Sequence, residues 1–568
     1  MMLTRRIGAL AGAAACLLAM SPSYAANAPT APANALSPTA PTVDPPAGRL
    51  RGVVEGNLRV FKGVPYAEPP AGALRWRPPV PLPRWHGVRE ATAFGPACYQ
   101  PEGPPSVYWE RPMPMSEDCL SLNIWAPADA RHAPVFFWIY GGALWGGASR
   151  DPLYDGAQLA ERGIVVVSIN YRLGVLGWLA LPQLSAESPQ GVSGNYGLLD
   201  QIQALRWVRR NISAFGGDPA NVTIAGESAG ALSVMYLMVS PEARGLFAKG
   251  IVESGYMVSM PSLKVDRYGM PSAEQSGLQL AAALHAPDLA ALRAIPPGKL
   301  TDAAAAARFG PWGTVDGHVF PQQMVTAFAK GDEARVPLLA GFNSGEIRSL
   351  MILAPHPPAS AAEYESVIRS RYGDLAPQFL RLYPASDMEQ SILATTRDAL
   401  YGWTAERLVR RQTALGLPSY LYLFDHGYPA EDDAALHGFH ASELPFVFGT
   451  LDGTPPLWPK IPASAQQVAL SQAMLDYWSS FARTGRPQAV HEPDWPAFGS
   501  QGAYMHFTNA PHPQTHLMPG MYRLNESVVC RRWASKRQPW NWNVGLWSPK
   551  LPPATADARA CARGAPDR

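Results

Sequence analysis

The stretch NVTIAGESAG, residues 221–230, places one serine between two glycines directly after a β-branched run. Residues 222–224 are typical of the end of a buried strand, and the apolar segment after the serine is typical of a helix. Such a sharp change of direction strains Ser228 and crowds its neighbours, which explains Gly226 and Gly230. The pattern G-x-S-x-G therefore predicts a nucleophile elbow that presents the serine hydroxyl at a helix N-terminus. Because short patterns of this kind also occur by chance, the rest of the chain has to decide.

The composition is that of a large globular protein. The chain has 568 residues, a formal net charge of +2 and a hydrophobic content of 47%. A charge this close to neutral gives no electrostatic case for binding nucleic acid or an anionic membrane surface. The 50 glycines and 58 prolines indicate many loops.

Residues 1–26 are predicted to be a secretory signal. Arg5 and Arg6 precede an apolar segment, residues 7–20, and residues 23–25 supply a small-x-small cleavage site. The alternative is a membrane anchor, but about 14 apolar residues are too few to span a bilayer comfortably. The signal predicts a secreted or periplasmic protein of bacterial type, without stable membrane insertion after cleavage, and it leaves general secretory and twin-arginine export both open.

The remaining chain contains no internal repeat and no long linker. Residues 27–47, rich in alanine, proline and threonine, predict a flexible leader. Residues 48–530 predict one large folded unit, and residues 531–568 a C-terminal extension. The oligomeric state is not readable from the sequence.

Continuous apolar strands alternate with amphipathic helices. The predicted strands include PVFFWIY (134–140), GIVVVSINY (163–171), VPLLAGFN (336–343) and SYLYLFDH (419–426). The segment 198–212 predicts an amphipathic helix. This alternation predicts an α/β fold with a large, mostly parallel central sheet and helices on both faces. Two largely helical segments, 256–315 and 350–415, predict excursions over the sheet.

Four cysteines remain once the signal, with its Cys16, is removed. An even number in an exported chain predicts two disulfides. Local pairing would join Cys98 to Cys119 and Cys530 to Cys561. The alternative of four free thiols is disfavoured in an oxidising compartment, and none of the cysteines has metal-ligand spacing.

A serine nucleophile also needs donors for the oxyanion, a base and an acid. The strand at 134–140 runs into a glycine-rich turn, residues 141–147, whose Gly142 and Ala143 are the predicted oxyanion donors together with Ala229. A plain glycine-rich turn is the alternative.

The base and the acid are less clearly marked. His437 and His440 lie in one loop, and either is a candidate base. Glu346 follows a predicted buried strand, at the strand end where an α/β sheet builds its site, but it is one carboxylate among several. The order Ser228, Glu346, His440 matches the nucleophile, acid and base order of the α/β-hydrolases.

Together these segments resemble the type-B carboxylesterases, the serine esterase group that includes the cholinesterases. The resemblance runs from about residue 48 to 487 and rests on seven segments in the family's order: FKGVPYAEPPAGALRWRPP (61–79), SEDCLSLNIWAP (116–127), WIYGGALWGG (138–147), INYRLGVLGWL (169–179), the segment 194–230, VDGHVFP (315–321) and FARTGRP (481–487). It implies an α/β-hydrolase fold and ester hydrolysis without a metal or organic cofactor.

The resemblance also implies roles for individual residues. Ser228 would be the nucleophile and Glu346 the acid. His440 is favoured over His437 as the base, because the family's histidine lies three residues before the glutamate of the segment ELPFVFG, here Glu443. The chain departs from the family where Gly345 and Ile347 flank the acid and where Ala441 follows the histidine.

Three further residues are candidates for the pocket. Glu227 would either tune the field around the base or belong to a core polar network. Trp109, ten residues before Cys119, stands where cholinesterases hold a quaternary ammonium, although a generic pocket wall or local packing is the plainer interpretation. Trp145 would narrow the pocket or pack on the sheet.

The sequence thus predicts an exported serine carboxylesterase that acts on a small-molecule ester. An amidase or acyltransferase on the same triad is the enzymatic alternative. A non-catalytic binding module of the same fold is disfavoured by the complete set of serine, glutamate and histidine.

Overall fold

The structure is a computed structural model that describes residues 40–103, 106–109, 113–540 and 543–563. The predicted signal and residues 27–39 of the predicted leader lie outside this range. The described residues belong to one compact unit. In this part of the chain, no helix is both long enough and apolar enough to cross a membrane.

The described residues contain an eleven-stranded sheet and a small three-stranded sheet. In chain order the strands are β1 (Thr42–Val43), β2 (Arg49–Arg51), β3 (Val53–Glu55), β4 (Leu58–Pro65), β5 (Val88–Glu90), β6 (Ser121–Pro127), β7 (Ala133–Ile139), β8 (Val165–Ile169), β9 (Gly217–Glu227), β10 (Lys249–Glu253), β11 (Leu338–Asn343), β12 (Ser419–Phe424), β13 (Ala503–Phe507) and β14 (Pro511–Thr515).

The large sheet has the order β14-β13-β12-β11-β10-β9-β7-β8-β6-β4-β3. Its seven central strands, β13 through β8, run parallel to one another, and antiparallel pairs close both edges. Strands β7, β8, β10, β11 and β12 are buried along their whole length. Continuous apolar strands of this kind form the middle of a parallel sheet that is covered on both faces. The predicted α/β class is therefore confirmed.

Helices surround the sheet. In chain order they are α1 (Ala157–Ala160), α2 (Gly174–Trp178), α3 (Pro182–Glu187), α4 (Tyr196–Asn211), α5 (Ala229–Val239), α6 (Ala273–Ala283), α7 (Leu289–Ala294), α8 (Pro297–Ala306), α9 (Met324–Lys330), α10 (Ala361–Tyr372), α11 (Ala376–Leu382), α12 (Met388–Arg397), α13 (Trp403–Ala414), α14 (Pro429–Asp433), α15 (Leu444–Phe448), α16 (Ala465–Thr484), α17 (Met521–Ser535) and α18 (Ala556–Arg563).

The two predicted helical excursions build small cores of their own. Helices α6–α8 contribute Leu280, Leu292 and Leu300 to a cluster with α2. Helices α10–α12 contribute Tyr364 and Ile392 to another cluster, which includes residues of α17. Between α12 and α13 the chain forms a π-helical turn, Asp398–Gly402, of the kind often found at functional sites.

The structure differs from the sequence expectation at both domain boundaries. Strand β1 pairs with β2, so residues 40–47 of the predicted leader are part of the folded unit. Burial of Val43 gives this short strand a place in the core. At the other end, the predicted boundary between residues 530 and 531 falls inside α17.

The predicted disulfides, Cys98–Cys119 and Cys530–Cys561, are both formed. The second joins α17 to α18. The predicted C-terminal extension also packs into the body through Trp540, which is buried and donates its indole N–H to the carbonyl oxygen of Met257 at 3.1 Å.

Candidate active site

The predicted elbow is present between β9 and α5. Ser228 has φ 55° and ψ −119°, a conformation that a residue with a Cβ adopts only under strain. A Cβ on Gly230 would lie 1.9 Å from the carbonyl oxygen of Ile139, and one on Gly226 would lie 2.5 Å from the carbonyl carbon of Gly230. The two glycines are therefore required because neighbouring backbone occupies the space of a side chain.

The glycine-rich turn after β7 packs against this elbow. A Cβ on Gly141 would lie 3.0 Å from the Cβ of Ser228. Gly142 and Ala143 both have positive φ, 105° and 56°. The carbonyl of Gly142 accepts from the N–H groups of Trp145 and Gly146 at 2.9 and 3.0 Å. Among the described residues, none accepts a hydrogen bond from the N–H of Gly142 or Ala143, which leaves both available to a ligand.

The imidazole of His440 is held by Glu346. Its Nδ1 forms a hydrogen bond with Oε2 of Glu346, and both side chains are buried. The other carboxylate oxygen, Oε1, accepts from the backbone N–H of Asn343 at 2.9 Å. A carboxylate on Nδ1 fixes the ring orientation and leaves Nε2 to handle a proton.

The loops that carry Glu346 and His440 are joined along their backbones. The N–H of Gly345 donates to the carbonyl of Gly438 at 2.8 Å, and the side chain of Asn343 donates to the carbonyl of Phe439 at 2.8 Å. One loop follows β11 and the other follows its neighbour β12. The neighbouring strands therefore deliver acid and base to the same edge of the sheet.

His437, the other candidate base, lies elsewhere. Its Nδ1 is 2.6 Å from Asp432, its Nε2 is 3.5 Å from Asp425, and its side chain is 37% exposed. Asp425 and Asp432, as acceptors of the imidazole N–H groups, outweigh partial burial and raise the pKa of His437 to about 9. The structure thus brings His440, and not His437, to Ser228 and Glu346.

Glu227, a predicted pocket residue, contacts the base directly. Its Oε1 lies 3.0 Å from Nε2 of His440, an ion-pair distance, although the two groups are not aligned as a hydrogen bond. Burial raises the pKa of Glu227 to about 7, because the attraction of His440 compensates only part of the cost of desolvation. Burial also disfavours the imidazolium, but Glu227 and Glu346 outweigh it and raise the pKa of His440 to about 9.

Two more buried carboxyl groups lie in this region. Burial raises the pKa of Glu253 to about 8, and its Oε1 accepts from the indole of Trp478 at 2.8 Å. Burial and the neighbouring carboxylates raise the pKa of Glu443 far above its ordinary value. Raised pKa values of this kind favour the neutral carboxyl forms, which limits the negative charge beneath the site.

Sequence reasoning missed three tyrosines around the triad. Tyr256 lines the same cavity as Ser228, and burial raises the pKa of its hydroxyl far above the ordinary value. Tyr401 lies on the imidazole of His440 with ring centroids 5.3 Å apart, and Tyr108 contacts its edge at 6.0 Å. Tyr256 follows β10 at the carboxyl end of the parallel strands. Because active-site residues collect at this end of an α/β sheet, the order of the strands could have indicated it. Tyr108 and Tyr401 lie in a loop and a π-helical turn that no sequence pattern marked.

These groups open into one cavity of about 570 Å³. Trp109, Trp145 and Glu227 line it, as do Ser228 and His440. Most of the remaining wall is apolar or aromatic. The described lining includes the carboxylates of Glu102, Asp151 and Glu227 but no lysine or arginine. The ring of Trp145 also packs on Phe309, within the cluster that helices α2 and α6–α8 form, and this contact does not show the alternative of packing on the sheet.

In the described part of the chain, one group of potential metal ligands lies close together. Glu526 lies close to Cys530 and Cys561. Because the two cysteines form a disulfide, their sulfurs are not thiolates that could bind a metal.

Known proteins resemble this chain over most of its length. Residues 39–524 match the sequence profile of the carboxylesterase family. The chain is 37% identical over 486 residues to the fumonisin B1 esterase of Sphingopyxis macrogoltabida, covering 81% of this chain and 85% of that protein. It is 36% identical over 466 residues to the para-nitrobenzyl esterase of Bacillus subtilis (strain 168), covering 79% and 91%.

Solved structures give the same result. A PNB esterase superposes with a TM-score of 0.75 at 33% identity, covering 86% of this chain and 99% of that one. A carboxylesterase of Geobacillus stearothermophilus superposes with a TM-score of 0.71 at 34% identity, covering 87% and 100%. The fold, the family profile and the relatives together establish that the chain belongs to the carboxylesterase family, whose members are serine hydrolases with the α/β-hydrolase fold.

Proposed function

We propose that the protein hydrolyses carboxylic esters through an acyl-enzyme on Ser228. The observation that carries this proposal is the convergence, in one cavity, of a strained serine, a carboxylate-held histidine and a turn with two N–H groups that have no acceptor in the described part of the chain. These are the parts that acyl transfer requires.

The oxygen of Ser228 attacks the ester carbonyl carbon while Nε2 of His440 accepts the serine proton. Glu346 orients the imidazole and stabilises its positive charge. The N–H groups of Gly142, Ala143 and Ala229 donate to the oxyanion. The alcohol leaves with the proton from His440. Water then attacks the acyl-enzyme, His440 acts as base again, and the carboxylic acid is released.

The histidine has to move for this transfer. Nε2 of His440 lies 3.0 Å from Oε1 of Glu227, whereas the proposed transfer needs this nitrogen at Oγ of Ser228. Catalytic hydrogen bonds of this kind often align only once substrate is bound. A small rotation of the imidazole toward Ser228, within the same cavity, completes the triad.

The substrate is an uncharged ester with a sizeable apolar group. The cavity supports this choice, since its described wall carries carboxylates and aromatic rings without a lysine or arginine to pair with an anion. Para-nitrobenzyl esters, named for one of the relatives, are suitable uncharged trial substrates.

The protein is exported to the periplasm or beyond the cell, without stable membrane insertion. The basic and apolar N-terminal segment and the two disulfides support this location. N-terminal sequencing of the exported protein is expected to begin at Ala26 or Asn27. An intact Met1 on the exported chain would contradict cleavage.

An amidase or acyltransferase is the second candidate function, since the same triad serves all three reactions. Acceptor choice depends on how the cavity admits water. Adding a primary alcohol or an amine to the assay distinguishes them, because an acyltransferase would form a new ester or amide in preference to free acid.

The test is hydrolysis of p-nitrophenyl acetate, butyrate and octanoate by the wild-type protein and by Ser228→Ala. Loss of the nucleophile is expected to reduce kcat about 10³-fold or more. Ser370→Ala, on the exposed face of α10 and outside the described cavity lining, is the control serine variant. Ester turnover that survives in Ser228→Ala would refute the mechanism.

A further inference from the structure

Tyr108 joins two loops that lie far apart in sequence. It belongs to the loop closed by Cys98–Cys119, and its hydroxyl donates to Oγ of Ser349 at 2.6 Å. Ser349 follows Glu346 by three residues. Burial raises the pKa of the Tyr108 hydroxyl, which therefore stays protonated and able to donate. The bond connects the disulfide loop directly to the loop of the predicted acid.

The ring of Tyr108 also contacts the predicted base. Its centroid lies 6.0 Å from that of His440, with the rings at 80°. Tyr401 approaches the imidazole at 5.3 Å and 38°, in a different orientation. His440 is thus restrained by two tyrosine rings in addition to Glu346 on Nδ1.

Residues 106–109 form a small turn with its own hydrogen bonds. The backbone N–H of Ser106 donates to the carbonyl of Trp109 at 3.3 Å, and Oγ of Ser106 accepts from the N–H of Tyr108 at 3.1 Å. These bonds fix the shape of the turn but do not attach it to the opposite wall. The hydroxyl of Tyr108 makes that attachment, while Tyr108 and Leu350 line the cavity from the two sides.

We propose that Tyr108 is a positioning residue for His440 and that its hydrogen bond to Ser349 acts as a strut that fixes the width of the ester cavity. The proposal rests on the esterase function proposed above. The ring limits how far the imidazole moves between Glu227 and Ser228. The hydroxyl holds the disulfide loop against the acid loop and so decides how well a long ester is enclosed.

The two parts of this role have different kinetic signatures. Removing the ring misplaces the base, which lowers kcat for every ester; misplacement by about 1 Å can cost about 10²-fold. Removing the hydroxyl alone leaves the ring in place and loosens the wall. That change raises KM for a long ester and leaves a short ester nearly unaffected.

The test measures kcat and KM on p-nitrophenyl acetate and octanoate for Tyr108→Phe, Ser349→Ala, their double variant and Tyr108→Ala. Tyr108→Ala is expected to lower kcat about tenfold on both esters. Tyr108→Phe is expected to raise KM for the octanoate about threefold while kcat stays within about twofold. Tyr504→Phe, which removes a 2.8 Å hydrogen bond to Gln514, is the matched control and is expected to change neither constant.

The double variant tests whether the hydrogen bond between Tyr108 and Ser349 fixes the width of the cavity. Once Tyr108→Phe has removed the bond, adding Ser349→Ala is expected to change KM by less than about 1.5-fold, since contacting residues are non-additive when they share one interaction. Fully additive effects of Tyr108→Phe and Ser349→Ala on KM would overturn the role of this hydrogen bond. Unchanged kcat in Tyr108→Ala would overturn the positioning role. If Tyr108→Ala does not fold, Tyr108→Leu answers the same question.

Failure of the underlying function gives a different result. A wild-type protein without esterase activity, or one whose activity persists in Ser228→Ala, would overturn the proposed reaction and this inference together. Activity that depends on Ser228 but is indifferent to Tyr108 would overturn this inference alone.

Discussion

Oε1 of Glu227 lies 3.0 Å from Nε2 of His440, the atom that the proposed reaction assigns to the serine proton. The imidazole therefore stands between two carboxylates, with Glu346 on Nδ1 and Glu227 beside Nε2. Because the three groups interact strongly, protonation of His440 depends on the charge of Glu227 and of Glu346. This arrangement makes Glu227 a control on the basicity of His440 as well as a member of the buried polar network.

Glu227→Gln is expected to move the pH dependence of kcat/KM to lower pH. The ionised carboxylate contributes to raising the pKa of His440 to about 9, and the amide lacks that charge. Because His440 has to be neutral to accept the proton, activity rises with pH through its pKa. A lower pKa of His440 moves the acid limb of the kcat/KM profile to lower pH. The plateau rate is expected to fall about tenfold, because the imidazolium formed during the reaction loses the stabilisation that Glu227 provides.

The measurement is a kcat/KM profile on p-nitrophenyl butyrate between pH 5 and 10. Glu102→Gln, which removes a carboxylate at the exposed mouth of the same cavity, serves as the control and should leave the acid limb in place. An identical profile for Glu227→Gln and the wild type would show that Glu227 has no influence on the base.

His437 is expected to stabilise the folded protein in mildly acid and neutral solution. Its pKa is raised from 6.5 to about 9 by Asp425 and Asp432, so the folded state holds the proton more tightly than the unfolded chain. This contribution is complete below about pH 6.5 and is lost as the pH rises toward 9. Urea unfolding of His437→Gln should differ from the wild type at pH 6 and converge with it above pH 9.

His86→Gln is the control for that experiment, since His86 is exposed and has no ion pair among the described residues. A constant difference between His437→Gln and the wild type across this pH range would contradict the linkage. The exposure of His437 keeps the expected effect small, as for other partly solvated ion pairs.

The enzyme is expected to discriminate against anionic esters. The described wall of its cavity carries Glu102, Asp151 and Glu227. Its basic side chain, His440, is already held between Glu227 and Glu346. An acyl chain that ends in a carboxylate would therefore lose hydration without gaining a partner. We expect kcat/KM for the p-nitrophenyl ester of a dicarboxylic acid to fall about 10²-fold below that of the uncharged ester of equal length.

Raising the salt concentration separates long-range repulsion from desolvation, because salt screens only the first. Asp151→Asn and Glu102→Gln should each recover part of the lost activity on the anionic ester. Equal rates on charged and uncharged esters would show that the bound acyl group does not contact the acidic residues of the cavity wall.

Local sequence rules predicted much of the site. The elbow at Ser228 could be predicted because neighbouring backbone leaves no room for side chains at Gly226 and Gly230, and the spacing of these glycines is visible in the sequence. The strand that ends at Asn343 is a continuous apolar run, so the placement of Glu346 at its carboxyl end was readable. His440 could be separated from His437 only through the family resemblance, because the choice depends on how two loops meet.

Other features depend on packing that no short pattern encodes. Tyr401 reaches His440 from a π-helical turn, which has no distinctive sequence signal. The contact of Tyr108 with Ser349 joins positions 241 residues apart. The leader boundary was misplaced because β1 has only two residues, too few for strand periodicity to appear.

Asn343 is expected to be the residue on which the geometry of acid and base most depends. It is fully buried, its backbone N–H donates to Glu346, and its side-chain amide donates to the carbonyl of Phe439 at 2.8 Å and to Glu443 at 2.5 Å. Asn343→Ala leaves two buried acceptors unpaired, which costs about 2–4 kcal/mol in the free energy of unfolding. It also releases the loop of His440 from the strand that carries Glu346, so kcat should fall about tenfold or more.

Asn211→Ala provides the comparison that separates these effects. Asn211 is also buried, donates to the carbonyl of Trp207 at 2.8 Å and accepts from the N–H of Ala47 at 2.8 Å, but it lies at the end of α4 and touches neither catalytic loop. Urea unfolding should show both variants destabilised, whereas kcat on p-nitrophenyl butyrate should fall only for Asn343→Ala. Equal kcat in the two folded variants would mean that the loops of Glu346 and His440 keep their register without the amide of Asn343.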